Sequence, residues 1–145
     1  MLEASPHYSV GRGTDSPFEQ VGADWIRGRE LAGFLNGRYI PGIRAYPTRF
    51  RPASANFSGK TVEGVRFVFT NRDTFDSIRL GLELGYALTK LYPGKIAWQE
   101  NRFLIGNHEV LEQLKEGIDP RTILQGIENS LADFNQRREQ YLLYR

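Results

Sequence analysis

The sequence contains no cysteine, and it has two histidines and one methionine among its 145 residues. Without cysteine the chain can form neither disulfides nor thiolate metal sites, although this does not fix its compartment. His7 and His108 are far apart along the chain, and no HExxH pattern or clustered set of carboxylates accompanies them. These residues do not form a recognisable metal-binding pattern. We therefore expect neither a metal ion nor a cofactor.

Other signals of catalysis and binding are also missing. There is no nucleophile elbow and no phosphate-binding loop, and Gly11-Arg12-Gly13 does not fit the dinucleotide fingerprint. The 19 basic residues nearly balance the 17 acidic ones and are scattered along the chain. No basic block of the kind that binds nucleic acid is therefore present. The sequence shows no signal peptide, and no apolar run long enough for a membrane span is present.

What remains is typical of one globular domain with a substantial core, since 40% of the 145 residues are hydrophobic. The pattern predicts an α+β fold, with a small mixed or antiparallel sheet packed against about four helices. The segments predicted as helical are 26–36, 77–91, the short segment between Asn107 and Gly117, and the segment from Pro120 to near the C-terminus. The segments predicted as extended are 43–50, 65–70, 96–98 and 103–105.

Several of these segments carry specific local signals. Asp76 is a suitable N-cap for the helix over 77–91, and Asp119-Pro120 is a typical helix start. Pro47 favours an edge position for the segment 43–50. The inward faces of the strand and the two longer helices predict five buried residues: Phe67, Phe69, Leu82, Leu131 and Phe134.

Residues 9–26 are too irregular for an amphipathic helix and too polar for a buried strand. Gly11 and Gly13 flank Arg12, so the backbone there can adopt positive φ or approach a ligand closely. Arg12 offers five donors in a fixed geometry, which suits a carboxylate or a cluster of sugar oxygens. Two interpretations remain open: an ordered binding loop, or a structural loop in which Arg12 fixes a neighbouring segment.

This stretch resembles a family signature. The GRGT sequence over 11–14, followed by Pro-Phe and Gly-Ala-x-Trp-Ile, is similar to the second domain of the bacterial exo-β-N-acetylmuramidases of the NamZ type. The similarity continues, in the family's order and at about its spacing, through 49–52, 64–73, 79–83 and 137–144. The resemblance thus spans nearly the whole chain. It implies that residues 1–145 form the C-terminal, substrate-cleft domain of a two-domain hydrolase.

The resemblance also implies a division of labour. The family's N-terminal Rossmann-like domain carries the proposed catalytic acid in a Gly-Pro-Glu-His motif, and neither is present here. No catalytic residue is therefore assigned to this chain, and we expect it to be inactive alone. The complete enzyme would release N-acetylmuramic acid from non-reducing ends during cell-wall recycling, in the periplasm or outside the cell. Its partners would be a muropeptide or amino-sugar glycan and the N-terminal domain of the same protein, with no nucleic acid.

The predicted substrate-binding residues are Glu3, Gly11, Arg12, Gly13 and Thr14. Glu3 matches the glutamate of a family Glu-Gly-Thr-Asn segment, although the run here is one residue longer and lacks the asparagine. The lactyl group of muramic acid is a carboxylate, and Arg12 suits it through a charge-assisted contact. Two alternatives are a non-catalytic module that binds glycans or a protein, and a structural domain that only stabilises its neighbour.

Overall fold

The computed structural model describes residue 3 and residues 5–144, apart from the side chain of Asn129. Within these residues the chain forms one α+β domain of three strands and five helices, which confirms the predicted fold class. In chain order the elements are β1 (Gln20–Ala23), α1 (Gly28–Gly37), β2 (Ile43–Phe50), β3 (Val62–Phe69), α2 (Ser77–Leu91), α3 (Trp98–Ile105), α4 (His108–Lys115) and α5 (Pro120–Glu139).

The three strands form an antiparallel sheet in the order β1-β3-β2. Strand β2 lies at an edge, as Pro47 predicts, and Pro47 pairs with Val65 of the central strand. The strands β1 and β3 approach each other closely at Gly64, where any Cβ atom would collide with the carbonyl oxygen of Val21. Glycine at this position is therefore a requirement of packing rather than of a turn.

The core consists of two clusters. In the first, Val65 and Phe67 of the sheet pack under α1 and α2. The second lies between α2, α4 and the start of α5, and it includes Leu82, Leu114 and Ile123. The predicted burial of Phe67 and Leu82 is confirmed.

Three of the predicted core positions are wrong. Leu131 and Phe134 are 53% and 52% exposed, because the second half of α5 extends beyond the neighbours that cover its first half. Phe69 is 41% exposed because it stands at the end of β3, where its ring meets Phe75 edge-on at a centroid distance of 4.8 Å.

The two short strands expected over 96–98 and 103–105 are also wrong. Residues Trp98–Ile105 form the single helix α3. Trp98 and Asn101 are buried on one side of this helix, and Ile105 is half-buried against the second cluster. Their spacing of three and four residues is helical. The apolar groups at the two ends of the segment resemble strands only when each is considered alone.

An ion network around the buried Glu83 joins three helices. Arg38, directly after α1, donates from Nε to Oε2 of Glu83 at 2.6 Å and from Nη2 to Oδ1 of Asp119 at 2.7 Å. Glu83 on α2 is fully buried, and Asp119 is the N-cap of α5. The hydrogen bonds from Arg38 lower the pKa of Asp119 below its ordinary value. The network therefore holds the first turn of α5 against α1 and α2.

Candidate functional site

Both glycines of the 11–14 loop adopt the left-handed conformation, with φ of 81° at Gly11 and 78° at Gly13. A Cβ atom at Gly11 would lie 2.7 Å from the carbonyl oxygen of Ser16, and one at Gly13 would lie 2.6 Å from the backbone nitrogen of Ser54. The loop packs directly on the segment after β2, where the Ala53 N–H donates to the Gly13 carbonyl at 2.8 Å. Only glycine fits these two positions without strain.

Internal hydrogen bonds order the rest of the loop. The hydroxyl of Thr14 donates to the Gly11 carbonyl at 2.6 Å and accepts from Nε2 of Gln20 at 2.8 Å. The N–H of Phe18 donates to the carbonyl of Val10 at 2.7 Å, which closes the loop at its base. Because Gln20 begins β1, these bonds connect the loop to the sheet.

The Arg12 side chain projects from this framework and is about half exposed. One of its terminal nitrogens, Nη2, forms an ion pair with Glu3, and its guanidinium carbon lies 5.1 Å from the ring centroid of Phe18. The other guanidinium N–H groups have no hydrogen-bond acceptor among the described residues. The loop thus fixes the position of an arginine and leaves part of its donor set available.

A pocket of about 230 Å³ opens beside the loop, between β1, β3 and the start of α2. Glu3 and Phe18, the two contacts of Arg12, both line it. The other lining residues are Val10, Gln20, Val21, Phe67, Ser77, Leu80, Gly81 and Leu84. An apolar floor with a few convergent polar groups is typical of small-molecule sites.

The segment before the loop is anchored from two sides. Tyr8 is buried, and its hydroxyl accepts a hydrogen bond of 2.8 Å from Nδ2 of Asn101 on α3. Burial raises the pKa of Tyr8 to about 12, so the phenol stays neutral. Nε1 of Trp25 donates to the carbonyl of His7 at 3.0 Å. His7 therefore contributes its backbone, and not its imidazole, to this anchor.

The structure places the five predicted site residues in different roles. Glu3 lines the pocket, whereas Arg12 is not a lining residue and contacts two residues that are, Glu3 and Phe18. Gly11, Gly13 and Thr14 form the turn and its internal bonds.

Sequence reasoning missed two polar lining residues, Gln20 and Ser77. Neither had a distinguishing signal, because Gln20 begins a strand and Ser77 follows a helix cap. The tertiary fold brings both residues to the pocket that Glu3 and Phe18 also line.

A wider cavity of about 730 Å³ lies at the other end of β3. Arg27, Arg29 and Arg49 line it together with Glu63. Nε of Arg49 donates to Glu63 at 2.7 Å, and this pairing lowers the pKa of the Glu63 carboxyl. We prefer the smaller pocket as the candidate site, because it combines the ordered loop with an apolar floor.

The described residues were also considered for metal binding and for membrane-spanning helices. Over residue 3 and residues 5–144, no three histidine or acidic side chains gather closely enough to hold a metal ion. Among the helices described for this chain, none is both long and apolar enough to cross a membrane.

With this geometry established, comparison with known proteins identifies the family. Residues 1–144 match the family described as the C-terminal part of the exo-β-N-acetylmuramidase NamZ. The chain belongs to this NamZ C-terminal family. The match confirms the resemblance noted from the sequence, and it includes both the 11–14 loop and the C-terminal segment 137–144.

Two relatives show how the length of this chain compares with the length of similar proteins. The peptidoglycan β-N-acetylmuramidase NamZ of Bacillus subtilis (strain 168) is 31% identical in an alignment of 139 positions that covers 94% of this chain and 34% of that protein. A solved structure of a DUF1343 family protein from Bacteroides fragilis superimposes with a TM-score of 0.67 at 20% identity. The superposition covers 97% of this chain and 38% of the Bacteroides fragilis chain. At this sequence identity it supports the fold alone. The chain spans about a third of the length of these relatives.

Proposed function

We propose that this domain supplies one wall of the substrate cleft in a peptidoglycan exo-β-N-acetylmuramidase, with the Arg12 loop binding the terminal N-acetylmuramic acid. One observation carries the proposal: a half-exposed arginine with available donors contacts Glu3 and Phe18, two lining residues of a pocket suited to a small molecule. The name of the Bacillus subtilis relative supplies the substrate class.

The chemistry of the pocket matches the parts of this sugar. The free edge of the Arg12 guanidinium suits the lactyl carboxylate, and planar arginine can bind a carboxylate through two hydrogen bonds. Gln20 and Ser77 offer donors and acceptors for hydroxyl and acetamido groups. The ring of Phe18 and the side chain of Leu80 provide apolar surface for the C–H face of the sugar.

The catalytic acid would come from elsewhere in the complete protein. Glycosidases generally use two carboxyl groups across the scissile bond. The described lining of this pocket contains one carboxyl group, Glu3, and it is paired with Arg12. We therefore assign substrate binding to this domain and proton transfer to an N-terminal domain. Cell-wall recycling outside the cytoplasm is the corresponding physiological proposal. The family match does not favour the alternative of an independent binding module.

An NMR titration of the 145-residue chain tests this assignment. N-Acetylmuramic acid should shift the signals of the 11–20 segment, whereas N-acetylglucosamine, which lacks the lactyl carboxylate, should bind more weakly. Arg12→Ala should weaken binding of N-acetylmuramic acid by about 1.5–3 kcal/mol, the scale of a hydrogen bond to a charged group. Arg12→Lys should recover only part of this loss, because an ammonium group lacks the planar geometry.

Arg102→Ala is the matched control. Arg102 also lies over an aromatic ring, that of Phe103, but it stands on α3 outside the pocket. It should bind the sugar like the parent chain. If Arg12→Ala binds like the parent, the loop is structural. If thermal melts show that Arg12→Ala is already unfolded at the temperature of the titration, Arg12 stabilises the fold, and the binding assignment is wrong.

A further inference from the structure

We propose that the wider cavity at the other end of β3 binds a ligand that carries two or more oxyanion groups, either carboxylates or phosphates. This cavity, called the arginine cavity below, has a volume of about 730 Å³. Its lining includes three arginines, Arg27, Arg29 and Arg49, together with Thr48 and Glu63. The inference concerns a second site, and it does not rest on the proposed binding of sugar by the Arg12 loop.

The lining of the arginine cavity has an excess of positive charge. Three arginines and one glutamate line it, which leaves two positive charges without an opposite charge in the lining. The whole chain has a formal net charge of +2, so the excess in this one cavity is as large as that of the whole molecule. Planar guanidinium groups bind carboxylates and phosphates through paired hydrogen bonds. An anion is therefore the class of ligand that this cavity fits.

Two of the three guanidinium groups are available to a ligand. Arg27 and Arg29 are exposed, and neither forms an ion pair with another described residue. The acidic residue in the first turn of α1, Glu30, accepts a hydrogen bond of 3.2 Å from the hydroxyl of Tyr92 and does not line the cavity. The charge of Glu30 is thus directed away from the cavity.

A carboxylate of the protein itself already occupies part of the arginine cavity. Nε of Arg49 donates to Oε1 of Glu63 at 2.7 Å, and Nη2 of Arg49 donates to the same oxygen. Arg49 is the main cause of the lowered pKa of Glu63, and the backbone N–H of Gly28 and the charge of Arg29 contribute to it. These groups therefore stabilise a negative charge in the cavity. A ligand would bind the free donors of Arg27 and Arg29 and would compete with Glu63 for Arg49.

The backbone around the arginine cavity is held by close packing. Gly28 is buried at the start of α1, and a Cβ atom there would lie 2.4 Å from the carbonyl oxygen of Gly64 on the central strand. The helix therefore begins in direct contact with the sheet. The N-cap residue Arg27 makes no side-chain capping hydrogen bond. The start of a helix favours nearby negative charge, which adds to the effect of the arginines.

Calorimetric titrations of the 145-residue chain at low ionic strength test the arginine cavity. The probes are inorganic pyrophosphate, which represents phosphate ligands, and citrate, which represents carboxylate ligands. We expect one-to-one binding of at least one probe, and the probe that binds more tightly identifies the source of the oxyanion. Arg27→Gln/Arg29→Gln should weaken binding at least tenfold, because it removes both available guanidinium groups. The control Arg137→Gln/Arg138→Gln removes the same charge from the exposed end of α5 and should bind like the parent.

Glu63→Gln tests the same cavity with an effect of the opposite sign. The neutral amide competes less well for Arg49, so the probe should bind at least threefold more tightly. Glu112→Gln is the matched control, because Glu112 is paired with Lys115 on α4 and lies outside the cavity. It should leave the affinity for the probe unchanged.

Three results would overturn the inference: no binding of either probe by the parent, equal loss in the two double variants, or unchanged affinity in Glu63→Gln. Equal loss would mean that the probe responds to net charge rather than to a site. Circular dichroism melts establish that each variant is folded. Arg12→Ala should bind the probe like the parent, so this outcome is independent of the N-acetylmuramic acid titration, and either proposal can fail alone.

Discussion

Glu83 is a fully buried carboxylate, and its charge is compensated by the ion pair with Arg38. The same guanidinium also binds Asp119, whose pKa it lowers. A carboxyl with a depressed pKa in the folded state stabilises the protein above its unfolded pKa of about 4. This contribution disappears as the pH falls through the lower pKa of the folded state. The Asp119 pair is partly exposed, so solvent screening keeps its contribution small.

Removal of Arg38 should therefore be more damaging than the loss of one ion pair. We expect Arg38→Met to lower the free energy of unfolding by about 3–5 kcal/mol, because it leaves a buried charge uncompensated. The double variant Arg38→Met/Glu83→Gln should recover at least half of that loss, since the buried group is then neutral. Urea unfolding of the parent and both variants at pH 7 measures this. Equal stability of the single and double variants would show that Glu83 does not carry the cost.

At the scale of helices and strands, local sequence signals predict the features that they control directly, namely helix caps and helix bounds. Asp76 caps α2 through the N–H groups of Ile78 and Arg79, and the helix has the bounds that the sequence indicates. The helix α3 was missed because its apolar residues fall at both ends of a short segment. The second half of α5 was predicted as buried because periodicity shows which side of a helix is apolar. It does not show how far the neighbouring helices reach.

For the candidate site, the sequence predicts the local backbone of the loop but not the residues that the fold brings beside it. The glycines at 11 and 13 indicated an ordered loop, and positive φ at both positions agrees with that interpretation. The pairing of Arg12 with Glu3 and the presence of Gln20 and Ser77 depend on tertiary contacts across the sheet and α2. No local pattern encodes such contacts. The family resemblance supplied Glu3, whereas nothing in the sequence distinguished the two polar residues.

Two phenylalanines that the sequence predicts to be buried should respond very differently to truncation. Phe67→Ala should cost about 3–5 kcal/mol, since its ring fills the core beneath the helices. Phe134→Ala, in the uncovered half of α5, should change the stability of this chain by about 0.5 kcal/mol or less. Urea unfolding of the two variants under the same conditions makes the comparison. A large loss in Phe134→Ala would mean that α5 is covered throughout its length in solution.

At the scale of the whole molecule, the most informative property is the length of the chain compared with the length of its relatives. The chain belongs to the NamZ C-terminal family and spans about a third of its relatives, and the described lining of its candidate pocket contains one carboxyl group. The candidate pocket and a second groove, which reaches Ile127 of α5, share Ser77 and Gly81 at the start of α2.

We expect the 145-residue chain alone not to hydrolyse a chromogenic β-N-acetylmuraminide, because no described group in the pocket can protonate the leaving group while Glu3 is paired with Arg12. Release of the chromophore should equal the buffer blank, with the full-length Bacillus subtilis relative as the positive control. Turnover well above the blank would place a complete catalytic site within this chain and refute the division of labour.

The edges of the small sheet have a consequence for how partners can approach. At one edge, Ser9 bridges to Gly22 through two backbone hydrogen bonds, so the ladder of β1 is already occupied there. At the other edge, Pro47 interrupts the donors of β2 near its middle. Neither edge presents a long free row of N–H and C=O groups, so β-strand addition from another chain is disfavoured. We therefore expect this domain to recognise partners through its side chains and loops rather than through an added strand, and concentrated samples should resist sheet-to-sheet aggregation.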